Sequence, residues 1–159
     1  MKVEKYVTKE IEVDVREITL LSMEEYEAAR AHIQPIDNWW WLRSPGYNRT
    51  AVRIVHEYYG TGNVIGIYCY ANEVSVRPAL RINPIPENLQ IGDMFSFGGY
   101  DWMVIAETLA LCNTEFCRRA FRKNRGAENA NVYESSDIKP YLDNWLNTEI
   151  QKEKDSKLY

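Results

Sequence analysis

The sequence lacks long apolar runs, has only two histidines and carries three cysteines, and each of these scarcities removes a class of protein. No stretch approaches the roughly 20 consecutive apolar residues of a membrane-spanning helix. The opening residues, MKVEKYVTKEIEVDVREI, alternate charge with β-branched side chains and supply no apolar signal-peptide core, so neither export nor membrane insertion is expected. His32 and His56 stand in no HExxH or other ligand spacing, so no metal and no cofactor is expected. Cys69, Cys112 and Cys117 are an odd number in a chain large enough to fold without staples, which predicts reduced thiols in a cytoplasm. The Asn48-Arg49-Thr50 glycosylation sequon is then incidental. The net charge of -4 comes from 19 basic and 23 acidic side chains spread over both halves, and exerts no global pull on nucleic acid or anionic membrane.

What the chain does have is enough apolar material, 45% hydrophobic and 13% aromatic over 159 residues, for one core. The pattern is α+β. Val3, Val7, Ile11, Val13 and Val15 fall on odd positions among charged neighbours, which predicts one or two strands with a wet face. Ser22 and Glu25 form a capping box ahead of Met23, Tyr26, Ala29 and Ile33, predicting a helix of about three turns that ends before Pro35.

A β meander is predicted from residues 51–59, 63–70 and 74–82, with a turn at Gly60-Thr61-Gly62-Asn63; that turn lacks the rest of any phosphate-binding loop. Pro84 and Pro86 mark a crossing. A hairpin follows across Gly98-Gly99, residues 109–117 extend the sheet, and Ser136 opens a second helix with an apolar stripe of Ile138, Tyr141, Leu142, Trp145 and Leu146. The expected organisation is one domain over 1–159: strands, helix and meander in 1–82, hairpin and helix in 88–150, and a charged flexible tail over 151–159.

Three groups of residues are candidates for function. Tyr47, Asn48, Arg49, Arg53, His56, Tyr58, Tyr59, Tyr68, Tyr70 and Asn72 combine tyrosine, with large contact area at low entropy cost, and adaptable polar groups, the composition of paratopes. Alternation puts Val64, Gly66, Tyr68 and Tyr70 on one strand face and Ile65, Ile67 and Cys69 on the other, which predicts one core face and one exposed face. The competing reading is that these tyrosines simply favour β-structure. Arg118, Arg119, Arg122, Lys123 and Arg125 form a basic cluster, either a solvated face or a contact for phosphates or an acidic surface. Trp40 and Trp41 are expected to be structural, one on each strand face. Arg43 and Arg77 are expected to clamp loop carbonyls. No nucleophile, base and orienting group occur together, so no enzyme is expected.

Trp40-Trp41-Leu42-Arg43-Ser44-Pro45-Gly46 followed by Val76-Arg77-Pro78-Ala79-Leu80 resembles the WWLRSPG and GVRPAL signature of an uncharacterised domain family of Firmicute genomes and their phages. Counterparts of Leu20-Leu21-Ser22, Gly92-Asp93, Gly99-Tyr100-Asp101-Trp102, Ser136-Asp137 and Trp145-Leu146-Asn147 extend the resemblance over residues 20–147. Two departures stand out. The hairpin and C-terminal helix normally precede the WWLRSPG block, so the order here resembles a circular permutation, and Ser75 stands where the family commonly has glycine. The resemblance implies a C-type-lectin-like α+β fold, with twisted antiparallel sheets and two main helices, akin to phage diversity-element proteins and formylglycine-generating enzymes.

On this reading the protein is a non-catalytic binding protein of phage or prophage origin that captures a host macromolecule, most simply a host protein. Inhibition of a bacterial defence system, as an anti-CRISPR protein does, is one concrete form. Nucleic-acid association through residues 118–125 is the second reading, and an oxidative enzyme of a related lectin-like fold, using Cys112 and Cys117, the third. Partner identity and oligomeric state are not encoded in any motif.

Overall fold

The computed structural model describes residues 8–9, 13–56, 63–83, 89–126 and 128–156. Two α-helices and two multistranded sheets make an α+β architecture. The N-terminal strands are β1 (Thr8–Lys9) and β2 (Val15–Thr19); Val3, Val7 and Ile11 lie outside the described residues. In β2 the odd-numbered periodicity does not persist. A register shift between Val15 and Glu17 changes the phase, so Val13 and Val15 pack on the core from one side of the irregularity and Ile18 and Leu20 from the other.

Ser22 caps α1 (Met23–Ala29) through the full capping box, and a 3-10 turn, Arg30–His32, completes the helix before Pro35. The central run forms β3 (Trp40–Pro45), β4 (Ala51–His56) and β5 (Asn63–Tyr68). The third β-rich run does not continue this meander. It divides into β6 (Ser75–Val76), which pairs in parallel with β3, and β7 (Ala79–Ile82), which crosses to the other sheet. Pro78, between them, has no N–H to continue a ladder.

Beyond residue 88 come β8 (Met94–Phe97), β9 (Tyr100–Ala106), β10 (Leu109–Cys112) and β11 (Cys117–Arg118). Gly98 and Gly99, with φ of 62° and 84°, turn β8 into β9, a conformation that side chains with a Cβ resist. Residues 109–117 do extend the sheets, but β10 joins one and β11 the other.

The final helix, α2 (Ile138–Ser156), buries Ile138, Leu142 and Leu146. Ser136 caps it by accepting from the Lys139 N–H, and Pro140 sits in the first turn, where no N–H partner is lost. Residues 151–156 of the expected tail continue the helix, and residues 157–159 lie outside the described residues. Lys152–Glu149 and Gln151–Asp155 side-chain bonds span three and four residues in a segment of good helix formers.

One sheet runs β1-β8-β9-β10-β7-β2 and the other β11-β6-β3-β4-β5. The first draws three strands from each half of the chain, joined by the antiparallel β7–β10 pair and the parallel β1–β8 pair. Alternate residues of both sheets feed two cores. Trp41, Val52, Ile54, Leu80, Trp102 and Val104 enter one, closed by Leu142 and Leu146 of α2; Trp40, Leu42, Val55, Ala79, Met103 and Ile105 enter the other, closed by Tyr26 and Ala29 of α1. A strand apolar on both faces, such as Trp40-Trp41-Leu42, is what burial from two sides demands.

Candidate functional site

The β3–β4 connection is shaped by Asn48, whose carboxamide oxygen accepts from the N–H groups of Thr50 and Ala51, while its carbonyl accepts from Asn131. Asn48 therefore serves the loop. The turn lifts Tyr47 into solvent at 84% exposure, with its ring beside the bare Cα of Gly66 and the Arg53 guanidinium 4.4 Å from the ring centroid. Arg49 next to it is exposed.

On β5, Tyr68 is 59% exposed and stacks on Tyr70, with centroids 5.2 Å apart and planes 11° apart. Tyr70 is half-buried against the first core, and the Arg125 guanidinium lies 4.8 Å from its ring centroid. Two aromatic–cation contacts and one ring stack thus hold this surface before any partner arrives. Tyr58 and Tyr59 lie outside the described residues.

The expected division of β5 into a core face and a wet face is not what forms. Val64 packs on the second core while Tyr68, on the same face, is exposed; Cys69 is buried while Ile65, on the opposite face, is 37% exposed. Each face is covered at one end only, because β5 borders the sheet and neighbouring elements reach it from one side.

His56 and Asn72 are also displaced from the tyrosine surface. His56 alternates with Arg53 along β4, and its ring meets Trp39 at 4.6 Å on the other face. Asn72 lines a hollow of ≈ 320 Å³ there, with Asn38, Trp39, Ile67, Ala71 and Val74. Trp39 and Ile67 were not among the candidate binding residues; the signals available were the alternation that set Ile67 opposite Tyr68 and the place of Trp39 just before the strand whose Trp40 and Trp41 fill the two cores.

The basic cluster disperses. Arg118 pairs with Glu115 at 3.1 Å, the Arg119 guanidinium lies 4.8 Å from the Tyr141 ring centroid, and Arg122 donates to the Ser135 carbonyl at 2.8 Å. The Lys123 N–H donates to Asp137 at 2.8 Å and leaves an exposed side chain. Only Arg125 reaches the tyrosine surface, so the run is a set of separate clamps and not one patch.

Trp40 and Trp41 are fully buried. The Trp41 indole donates to the Arg119 carbonyl at 2.8 Å, and the Arg77 guanidinium lies 4.9 Å from the Trp40 ring centroid and donates to the Cys112 carbonyl at 2.8 Å. Arg43 donates to the Leu20 carbonyl at 2.7 Å and to Glu25. Ser75 is buried and uses its hydroxyl, donating to Glu115 and accepting from Asn38. These residues hold loops to strands.

Among the described residues, no group of three or more His, Cys, Asp or Glu side chains could hold a metal ion. Burial pushes the Cys112 thiol up to about 11 and raises that of Cys69, leaving both protonated at neutral pH. Burial, with a bond to Cys117, pushes the Tyr141 phenol up to about 12. No helix among the described residues is long and apolar enough to cross a membrane.

Neither the comparison with curated proteins nor that with solved structures found a match. The family comparison did: residues 7–84, from the N-terminal strands through β7, match the model of a domain of unknown function, DUF6273.

Proposed function

We propose that this protein is a non-catalytic binding protein that captures a host protein stoichiometrically through the Tyr47–Arg53–Tyr68 surface. The observation that carries this reading is the exposure of two tyrosines, Tyr47 at 84% and Tyr68 at 59%, each already held in place by a neighbour in van der Waals contact. Exposed aromatic rings fixed before binding lose little entropy on contact, which is how tyrosine-rich paratopes gain affinity. The resemblance to a phage-associated, C-type-lectin-like family in circularly permuted order supports a phage or prophage origin and a bacterial cytoplasm as the place of action. Inhibition of a bacterial defence system, in the manner of an anti-CRISPR protein, fits those circumstances.

A tagged pull-down from host lysate, with and without nuclease, tests the reading. Replacing Tyr47 and Tyr68 with alanine should weaken capture by about 2 kcal/mol or more per residue. Stability should change by no more than about 0.5 kcal/mol for Tyr47 and about 1.5 kcal/mol for Tyr68, which loses a ring stack. Retained capture by the double variant would remove the basis of the proposal.

Nucleic-acid association is a second reading, favoured by one contact: Arg125 joins the tyrosine surface beside exposed Lys123. Capture that disappears with nuclease, depends steeply on salt and is lost in Lys123→Ala/Arg125→Ala would select it.

A further inference from the structure

Among the described residues four strands border the two sheets, and three of them carry devices that discourage a further strand. β1 and β11 are two residues long, and β2 presents Arg16 and Glu17 and a register shift. The fourth, β5, has the sequence NVIGIY, six residues with no charge and no proline, and it pairs with β4 without irregularity. Among the described residues it has a partner on one side only.

The direction of its backbone groups follows from the ladder. Cys69 N–H donates to the Thr50 carbonyl at 2.7 Å, so odd-numbered residues of β5 point their peptide groups at β4. Val64, Gly66 and Tyr68 then point theirs outward, although the Tyr68 carbonyl already accepts from the Ala71 N–H at 3.0 Å, so at that residue the N–H is the group offered to an added strand. The two faces beside this edge differ in chemistry: Tyr47, Arg53 and Tyr68 on one, and Ile65, Ile67 and the hollow under Trp39 on the other.

We propose that β5 is a strand acceptor, to which an extended segment of the partner adds as a sixth strand, setting carboxylates against the Tyr47–Arg53–Tyr68 face and apolar side chains against Ile65, Ile67 and the hollow. The inference rests on the reading of the tyrosine surface as a recognition surface and names the form of its partner. Alternating side chains of an added strand fall on opposite faces, so one apolar–acidic repeat satisfies both at once. Charge selects the occupant. Arg53, Arg125 and neighbouring Arg49 attract an acidic segment, whereas a second copy paired edge to edge would bring its own arginines to the same face.

The probe is an acetylated, amidated octapeptide of alternating valine and glutamate, titrated into the full-length ¹⁵N-labelled chain, with a valine–lysine octapeptide as control. The expected result is shifted and exchange-protected amides at Val64, Gly66 and Tyr68, with at least tenfold weaker binding of the lysine peptide. Gly66→Pro removes an outward N–H without touching the β4 ladder and should reduce affinity at least tenfold. Where that variant does not fold, the exchange rates of the three amides in the unaltered chain decide the matter. Absence of amide protection, undiminished binding by folded Gly66→Pro, or self-association through the same amides without peptide would each overturn strand addition. Binding lost in Tyr47→Ala/Tyr68→Ala but kept in Gly66→Pro would leave the tyrosine surface standing and overturn only the strand; binding kept in both would overturn both.

Discussion

Glu25 gathers three partners onto one carboxylate: it accepts from the Ser22 N–H at 2.9 Å, accepts from Arg43, and pairs with Arg81 at 3.0 Å. Burial alone would raise its pKa, but the hydrogen bonds from Arg43 and Ser22 and the charges of Arg43 and Arg81 outweigh burial and hold it below the ordinary value. A carboxyl depressed in the folded state stabilises the fold above its unfolded pKa, about 4.3, and that stabilisation is lost as pH falls through the folded value. Glu25→Gln should therefore cost roughly 1.5–3 kcal/mol at pH 7, measured by urea denaturation, with the gap to the unaltered chain closing as the pH is taken below about 4. An equal gap at both pH values would refute this account. The capping bond was legible in the sequence because Ser22 and Glu25 are local; Arg43 and Arg81 are 18 and 56 positions away, and no periodicity links them. The cysteines offer a second residue-level check. Iodoacetamide at pH 8 should alkylate half-buried Cys117 first and reach fully buried Cys69 and Cys112 only on unfolding, as read by mass spectrometry.

Helices were the most legible elements. The i, i+3, i+4 stripe of α2 and the capping box of α1 are recorded within single turns, and the structure realises both. Strand phase was less legible, since one bulge at Val15–Glu17 reverses which residues point inward and leaves no mark in composition. The Gly98-Gly99 turn supplies a test at this scale. A Cβ on Gly98 would meet the Trp145 ring at 2.5 Å, whereas one on Gly99 would meet nothing within 4 Å, and both residues have positive φ. Gly99→Ala should cost the backbone penalty alone, about 1–2 kcal/mol. Gly98→Ala should cost a further 1–3 kcal/mol or so for overpacking and perturb tryptophan fluorescence. Equal losses in a denaturation series would mean that Trp145 yields freely.

At the scale of the molecule, the two halves of the chain are not independent. The segment that matches the family model, residues 7–84, ends beyond β7, yet β7 pairs with β10, and the first core takes Trp41 and Leu80 from one half and Trp102, Val104 and Leu142 from the other. A fragment ending between residues 84 and 88 should be unfolded by circular dichroism and near-ultraviolet signal, and should recover structure when the complementary fragment is added. An autonomously folded fragment would show that one core suffices. Within the candidate site, alternation along β5 correctly separated Tyr68 from Ile65 and Ile67, but the assignment of His56 and Asn72 to the tyrosine side failed. Face membership across strands depends on register, which sequence spacing does not carry. The basic run is dispersed for a related reason: five neighbouring cations were sent to Glu115, Tyr141, Ser135, solvent and Tyr70, partners up to 55 positions distant.

By itself the sequence determined the α+β class, the helices and their caps, the structural role of Trp40 and Trp41 and the strands at β4 and β5, because each is written in contacts or periods of a few residues. Only the tertiary structure decided which tyrosines stand in water, which arginines are spent on internal carbonyls and rings, and which strand, among the described residues, borders its sheet with a partner on one side. Those outcomes depend on which distant segment arrives beside each side chain.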